Sequence, residues 1–213
     1  MRGELALGAV LSRRKLATEF GMSLLPVSEA LQRLENEGLV ESKPRVGTRV
    51  RVPSLQDVRE RYVVREALEC QSARLFAEQA TPQERQELQR MAEHTDVLFN
   101  QAATGHADPE FMYQVHSYHF SFHMRVAEYG RCGALREAIE KNQVLIFNWL
   151  YDVAAHRRAL PPRFHRELTA VLCGGDPDAA EKAMRDHVRW GLEQTVQNLA
   201  PRACGEWRLR RTS

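Results

Sequence analysis

Residues 12–50 read SRRKLATEFGMSLLPVSEALQRLENEGLVESKPRVGTRV. Ser12 is an N-cap candidate, since its side-chain oxygen can accept a backbone N–H that a first helical turn leaves unbonded. Arg13 to Phe20 then read as a short helix with Leu16, Ala17 and Phe20 inward. Gly21 ends it. Met22 leads to Ser23, a second N-cap candidate, and Pro26 falls in the next first turn, where a missing N–H costs little. Val27, Ala30, Leu31 and Leu34 give the i, i+3, i+4, i+7 stripe of a second helix, which closes near Gly38. Leu39 and Val40 begin one short strand, Thr48 to Val50 form another, and Lys43 to Gly47 turn between them. Helix, tight turn, helix and hairpin make a winged helix-turn-helix, with a second helix sized for the DNA major groove.

Charge supports that reading. Residues 1–52 hold nine Lys/Arg against six Asp/Glu, a net +3, while the remainder holds 21 against 22, a net −1. A basic head on a neutral body suits a nucleic-acid module. The rest of the chain excludes other classes. No apolar run approaches the roughly 18 to 20 residues of a membrane span. No basic-then-apolar signal segment opens the chain. Cys70, Cys132, Cys173 and Cys204 are scattered without metal-like spacing, as expected of reduced thiols in a cytoplasmic protein.

Pro53 and Ser54 form a linker, and everything from Leu55 onward reads as helix. The expected segments run from Leu55 to about Gln79, from Pro82 to about Ala103, Glu110 to Tyr129, Ala134 to Ala155, Pro162 to Cys173, and Pro177 to Leu199, with a frayed tail after Pro201. The fold class is therefore mainly α. A winged helix-turn-helix occupies residues 1–52, and an antiparallel all-helical bundle occupies 53–213.

The head resembles that of GntR-type bacterial repressors. The resemblance rests on Leu16-Ala17, Gly21-Met22-Ser23, Pro26-Val27, Glu29-Ala30-Leu31, Leu34-Glu35, Glu37-Gly38-Leu39-Val40 and Gly47. It implies a homodimer on double-stranded operator DNA, with Arg13, Arg14, Ser23, Ser28, Arg33, Lys43, Arg45 and Gly47 at the DNA, Gly47 being near the minor groove. Arg49 is a further expected phosphate contact. Two features depart from the pattern. Leu24, Leu25 and Ser28 stand where family members carry Arg, Thr and Arg, and the family's first helix begins upstream of Met1, so the head is expected to be short at its N-terminus.

The body resembles the FCD domain of the FadR-type branch. The segments REALECQSARLFAEQAT, FHMRVAEYGRCGAL and FHRELTAVLCGGDPDAAEKAMRDHV carry that likeness. Four histidines stand out within it. His119 and His123 lie four residues apart, on one helical face, and His165 and His187 lie 22 apart on separate helices. The resemblance implies a metal held by an aspartate, a histidine one turn later and two histidines in the last helices. His123, His165 and His187 match that set, and His119 stands at the aspartate. His116 shares the face and reads equally well as a polar surface residue. His94, His106 and His156 match nothing. An imidazole cannot offset a dication's charge as a carboxylate does, so the site should prefer Zn²⁺, with Ni²⁺ or Cu²⁺ next, over Mg²⁺ or Mn²⁺.

No HExxH, nucleophile elbow or phosphate-cradling glycine loop appears, so catalysis is not expected. The family likeness implies instead a small carboxylate effector at the metal, with Arg65 as a second clamp. A metal sensor without organic effector and a metal-dependent hydrolase are the alternatives. Phe147, Trp149 and Tyr151 belong to the core or to the pocket wall.

Overall fold

A computed structural model of the chain describes residues 5, 7–43, 47–105, 108–151 and 160–203, with the backbone alone at 109, 145–151 and 198–203. The chain divides into two units, Met1–Pro53 and Ser54–Ser213. Among the described residues no helix is long and apolar enough to cross a membrane.

The first unit contains β1 (Val10–Leu11), α1 (Arg13–Phe20), α2 (Leu24–Asn36), β2 (Val40–Lys43) and β3 (Gly47–Val50). Ser12 caps α1 by accepting from the Lys15 N–H at 3.3 Å. Gly21 ends it in the left-handed region, at φ 63°, so that Met22 N–H reaches the Ala17 carbonyl at 2.9 Å. Ser23 occupies the N-cap position of α2, but its side chain makes no capping bond. β3 is the central strand, antiparallel to both neighbours, with Leu11 opposite Thr48 and Val40 opposite Val50. Sequence periodicity left β1 unassigned, because two residues are too few to show alternation.

Leu11, Ala17, Val27, Leu31 and Val40 form the core of this unit, with Leu16, Leu34 and Val50 packed on it. Each buried Leu or Val side chain contributes roughly 1.5–3 kcal/mol. Two expected members are absent from that core. Phe20 is 63% exposed and Ala30 is also exposed. Neither belongs to the face that packs with Leu11 and Val40 of the sheet.

Among the described residues the second unit forms six helices and no strand: α3 (Leu55–Gln79), α4 (Pro82–Thr104), α5 (Pro109–Tyr129), α6 (Gly133–Tyr151), α7 (Phe164–Leu172) and α8 (Pro177–Ala203). Ser54 is the N-cap of α3 rather than linker, in a reciprocal capping box with Asp57. Thr81 and Glu84 make the same box for α4. Arg163 holds a left-handed backbone, so α7 starts at Phe164 rather than Pro162. α8 continues past Leu199 to Ala203.

α3 is the organising helix, packing along α8 and touching α5, α6 and α7. Its inward stripe carries Val58, Tyr62, Arg65, Glu69, Ser72, Ala73 and Phe76, all buried. A charged pair thus sits in the middle of an otherwise apolar or small-residue stripe. Arg85 of α4 ties the ends of two helices together, donating to the Ala77 and Ala80 carbonyls of α3 and to Cys173 after α7. Cys70, Cys132 and Cys173 are free thiols, and Cys204 lies outside the described residues.

Candidate functional site

Helices α3, α5, α7 and α8 converge on one cavity of about 80 Å³. His119 and His123 enter from α5, His165 from the first turn of α7 and His187 from α8. His119 Nε2 stands 2.9 Å from His123 Nε2, which stands 3.3 Å from His187 Nε2. One donor nitrogen from each of His119, His165 and His187 lies within 4.8 Å of the others. Tertiary packing therefore brings all four expected histidines together.

Carboxylates orient two of the rings from behind. His165 donates its Nδ1–H to Asp96 Oδ1 at 2.9 Å. His123 turns Nδ1 to Glu69 Oε2 at 2.8 Å. A proton on Nδ1 leaves His165 Nε2 with a free lone pair, the arrangement a ligating imidazole needs. Aromatic rings hold the planes. Phe99 stacks on His165 with centroids 5.6 Å apart, and Phe164 stacks on His187 at 4.6 Å with Trp190 behind it.

Glu69 is the hub of the polar wall. Its Oε1 accepts from Arg65 Nε at 2.7 Å and from Gln143 Nε2. Burial works against its charge, but Arg65 and then His123 outweigh it and hold the carboxyl at about 2. Arg65 also directs a terminal nitrogen at His123 Nε2, at 3.4 Å. Burial opposes the guanidinium charge too, yet Glu69 and Tyr62 keep its pKa above the usual value. Burial, the neighbouring imidazoles and Arg65 press the His119 and His187 pKa well below the ordinary value. Burial lowers His165 as well, against the pull of Asp96. These rings are therefore neutral, which is the form that ligates a metal.

The residues fit a divalent ion. His165 Nε2 is buried without a hydrogen-bond partner and belongs to this cluster. Two nitrogens on one tetrahedral zinc lie about 3.4 Å apart, so donors as far as 4.8 Å apart must draw in by up to about 1.4 Å, and His119 and His123, at 2.9 Å, must part slightly. All donors are imidazole, which suits zinc, nickel or copper better than magnesium or manganese.

His116 is buried rather than on the surface, edge-on to Phe99, and lines the same cavity. His94 instead meets Tyr118 edge-on, with ring centroids 4.7 Å apart. His106, His156 and the side chains of Phe147, Trp149 and Tyr151 lie outside the described residues. Sequence reasoning missed Asp96 and Gln143 and did not assign Glu69 a place in the site.

In the first unit, a groove between the start of α1 and the β2–β3 wing is lined by Ser12, Arg13, Arg14, Lys43 and Gly47, among others. Gly47 adopts φ 98°, a backbone region that favours glycine. Glu35 of α2 accepts from the Ser42 backbone and hydroxyl, at 2.8 and 3.0 Å, which ties the wing to α2. Arg33 is exposed on α2. Arg49, expected at phosphates, is held by Glu41 across the hairpin at 2.5 Å. Ser28 donates its hydroxyl to the Leu24 carbonyl at 2.8 Å. Arg45 lies outside the described residues.

Residues 60–189 match the FCD domain family, and residues 1–50 match the family described as bacterial regulatory proteins, gntR family. The HTH-type transcriptional repressor RspR of Escherichia coli K12 is 25% identical over 199 residues, covering 92% of this chain and 82% of that one. The probable D-xylose utilization operon transcriptional repressor of Paenarthrobacter nicotinovorans is 30% identical over 208 residues, covering 92% and 84%. Among solved structures, E. coli McbR/YncC superposes with a TM-score of 0.67 at 23% identity, over 93% of this chain and 92% of that one. A GntR transcriptional regulator from Rhodococcus sp. RHA1 gives 0.69 at 23% identity, over 92% and 91%. These two structures share the fold.

Proposed function

The chain belongs to the gntR family of bacterial regulatory proteins, with an FCD domain as its second unit, and from that premise we propose a ligand-responsive cytoplasmic repressor whose effector binds at a metal. Its family makes it a DNA-binding transcriptional regulator rather than an enzyme. The finer reading has three parts. The protein binds a short palindromic operator as a homodimer, matching two half-sites with two-fold symmetry. His119, His123, His165 and His187 hold one divalent ion, zinc or else nickel. A small carboxylate binds beside it.

The observation that carries this reading is the charge of the cavity. Arg65 is positive, Glu69 and Asp96 are negative, and His119, His165 and His187 are neutral. A bound dication brings that set to a net +1. The bound metal supplies a Lewis-acid seat for a carboxylate oxygen. Arg65 presents its unused N–H groups to the other oxygen. Phe120, Phe164 and Trp190 furnish the apolar wall for the acid's carbon skeleton. The cavity measures about 80 Å³, a size that suits a short acid.

Native mass spectrometry with metal analysis, on protein purified without a histidine tag, tests the ion. The expected result is a dimer with one zinc or nickel per chain. Calorimetric titration with short mono- and dicarboxylates, before and after chelation, tests the effector. Binding only to the metal-loaded form supports the reading. Carboxylate binding unchanged by chelation overturns the role of the metal. Operator release by chelation alone, with no carboxylate bound in either form, indicates a metal sensor.

A further inference from the structure

The leading edge of α2 is apolar where it is most exposed. Leu24 and Leu25, its first two residues, are 50% and 69% exposed, and Met22 just before them is 57% exposed. Between Met22 and Ser28 no side chain carries a charge. Val27 is buried in the core of its unit, and Ser28 has committed its hydroxyl proton to the Leu24 carbonyl. This stretch therefore lacks the charged fork that would read guanine bidentately, and the Ser28 hydroxyl is turned back to the helix backbone.

The surroundings specify what such an edge would meet. Arg13, Arg14 and Lys43 are exposed in the same unit and form no ion pair with another described residue. Basic groups of that kind suit phosphates, and the first residues of the second helix in this motif face base edges in the major groove. The one apolar group that a base pair displays there is the thymine 5-methyl. We propose that Leu24 and Leu25 read thymine 5-methyl groups, so that each half-site is specified at one or two positions by T rather than by G. The proposal rests on the DNA-binding reading of the first unit and adds the chemistry of its recognition.

The test begins with selection of preferred sites from a random duplex pool by the full chain. Each thymine of the selected site is then replaced by uracil, which removes the methyl and leaves the hydrogen-bonding pattern unchanged. The expected result is a loss of about fourfold at one or two positions per half-site, the factor for burying one methyl-sized group. That loss should vanish in Leu24→Ala or Leu25→Ala. Both side chains are exposed, so these variants keep the fold. A site indifferent to uracil everywhere overturns the inference alone, as does a methyl effect that survives in both variants. Leucine variants with unchanged DNA affinity and altered oligomeric state overturn it in favour of a protein contact. Selection that enriches no sequence overturns specific DNA binding and this inference with it.

Discussion

Asp96 Oδ1 accepts two hydrogen bonds from His165, one from its backbone N–H and one from its ring Nδ1, each at 2.9 Å and across 69 residues of chain. The first bond fixes where α7 begins, and the second fixes how its imidazole faces the cavity. An outer carboxylate of this kind orients a ligand and raises its basicity. Asp96→Asn should weaken divalent-metal affinity by about 10–100-fold while the fold persists. Competition against a chromogenic chelator measures it, and an unchanged affinity would remove Asp96 from the site.

Arg65 and Glu69 are both buried and bound to each other. Removing one partner strands the other's charge, at a cost of about 3–5 kcal/mol. Arg65→Ala and Glu69→Gln should both lower the urea midpoint strongly. A loss of effector response in Arg65→Ala is then uninformative about the clamp. Arg65→Lys keeps the charge but loses the planar fork. It should fold, with weaker carboxylate binding by calorimetry and an unchanged metal content.

His119 decides which ion the cavity selects. Alanine at His119, His165 or His187 should each nearly abolish zinc binding, because those three rings come from three helices and their donor nitrogens converge, and His123→Ala should lower it less. His119→Asp should retain a metal and move its preference toward manganese, a harder ion. Parallel zinc, nickel and manganese titrations would show it. Equal selectivity in wild type and His119→Asp would contradict the assignment.

Acidification should destabilise the chelated protein. Burial and neighbouring charges hold the His119 and His187 pKa well below 6.5, and burial lowers His165 too. The same rings in an unfolded chain gain protons from about pH 6.5 downward. The unfolded state then binds more protons than the native one, so stability is full above that value and is lost as pH falls through the folded values. Glu69, held at about 2 against an ordinary 4.5, adds a second loss below 4.5. Urea midpoints in chelator should fall between about pH 7.5 and about pH 5.5. Identical midpoints at the two values would refute a neutral histidine cluster.

Salt should weaken operator binding steeply, with log K falling by about 0.9 per phosphate neutralised per decade of salt. Arg13→Ala or Arg14→Ala should each reduce that slope by about one unit. Arg49→Ala should change it little, since Glu41 already holds that guanidinium. Fluorescence anisotropy across a salt series distinguishes the three.

The sequence alone determined the helices and most of their ends. Ser12 and Thr81, Gly21, Pro82 and Pro177 act on backbone groups within a few residues of themselves, so their effect is local and legible. It also picked out the four histidines, through spacing on α5 and a resemblance over α7 and α8. Tertiary structure decided the rest. Asp96, Glu69 and Gln143 act on partners 69, 54 and 74 residues away, a distance over which periodicity carries no signal. Glu69 is a residue type usually found at the surface and His116 one of intermediate burial, and only packing shows both buried. Phe20 and Ala30 fell on an inward-looking stripe, yet both are exposed and lie outside the core cluster of the first unit. Local signals set where the chain forms helix, and the contacts between helices set which polar side chains lose water and share one cavity.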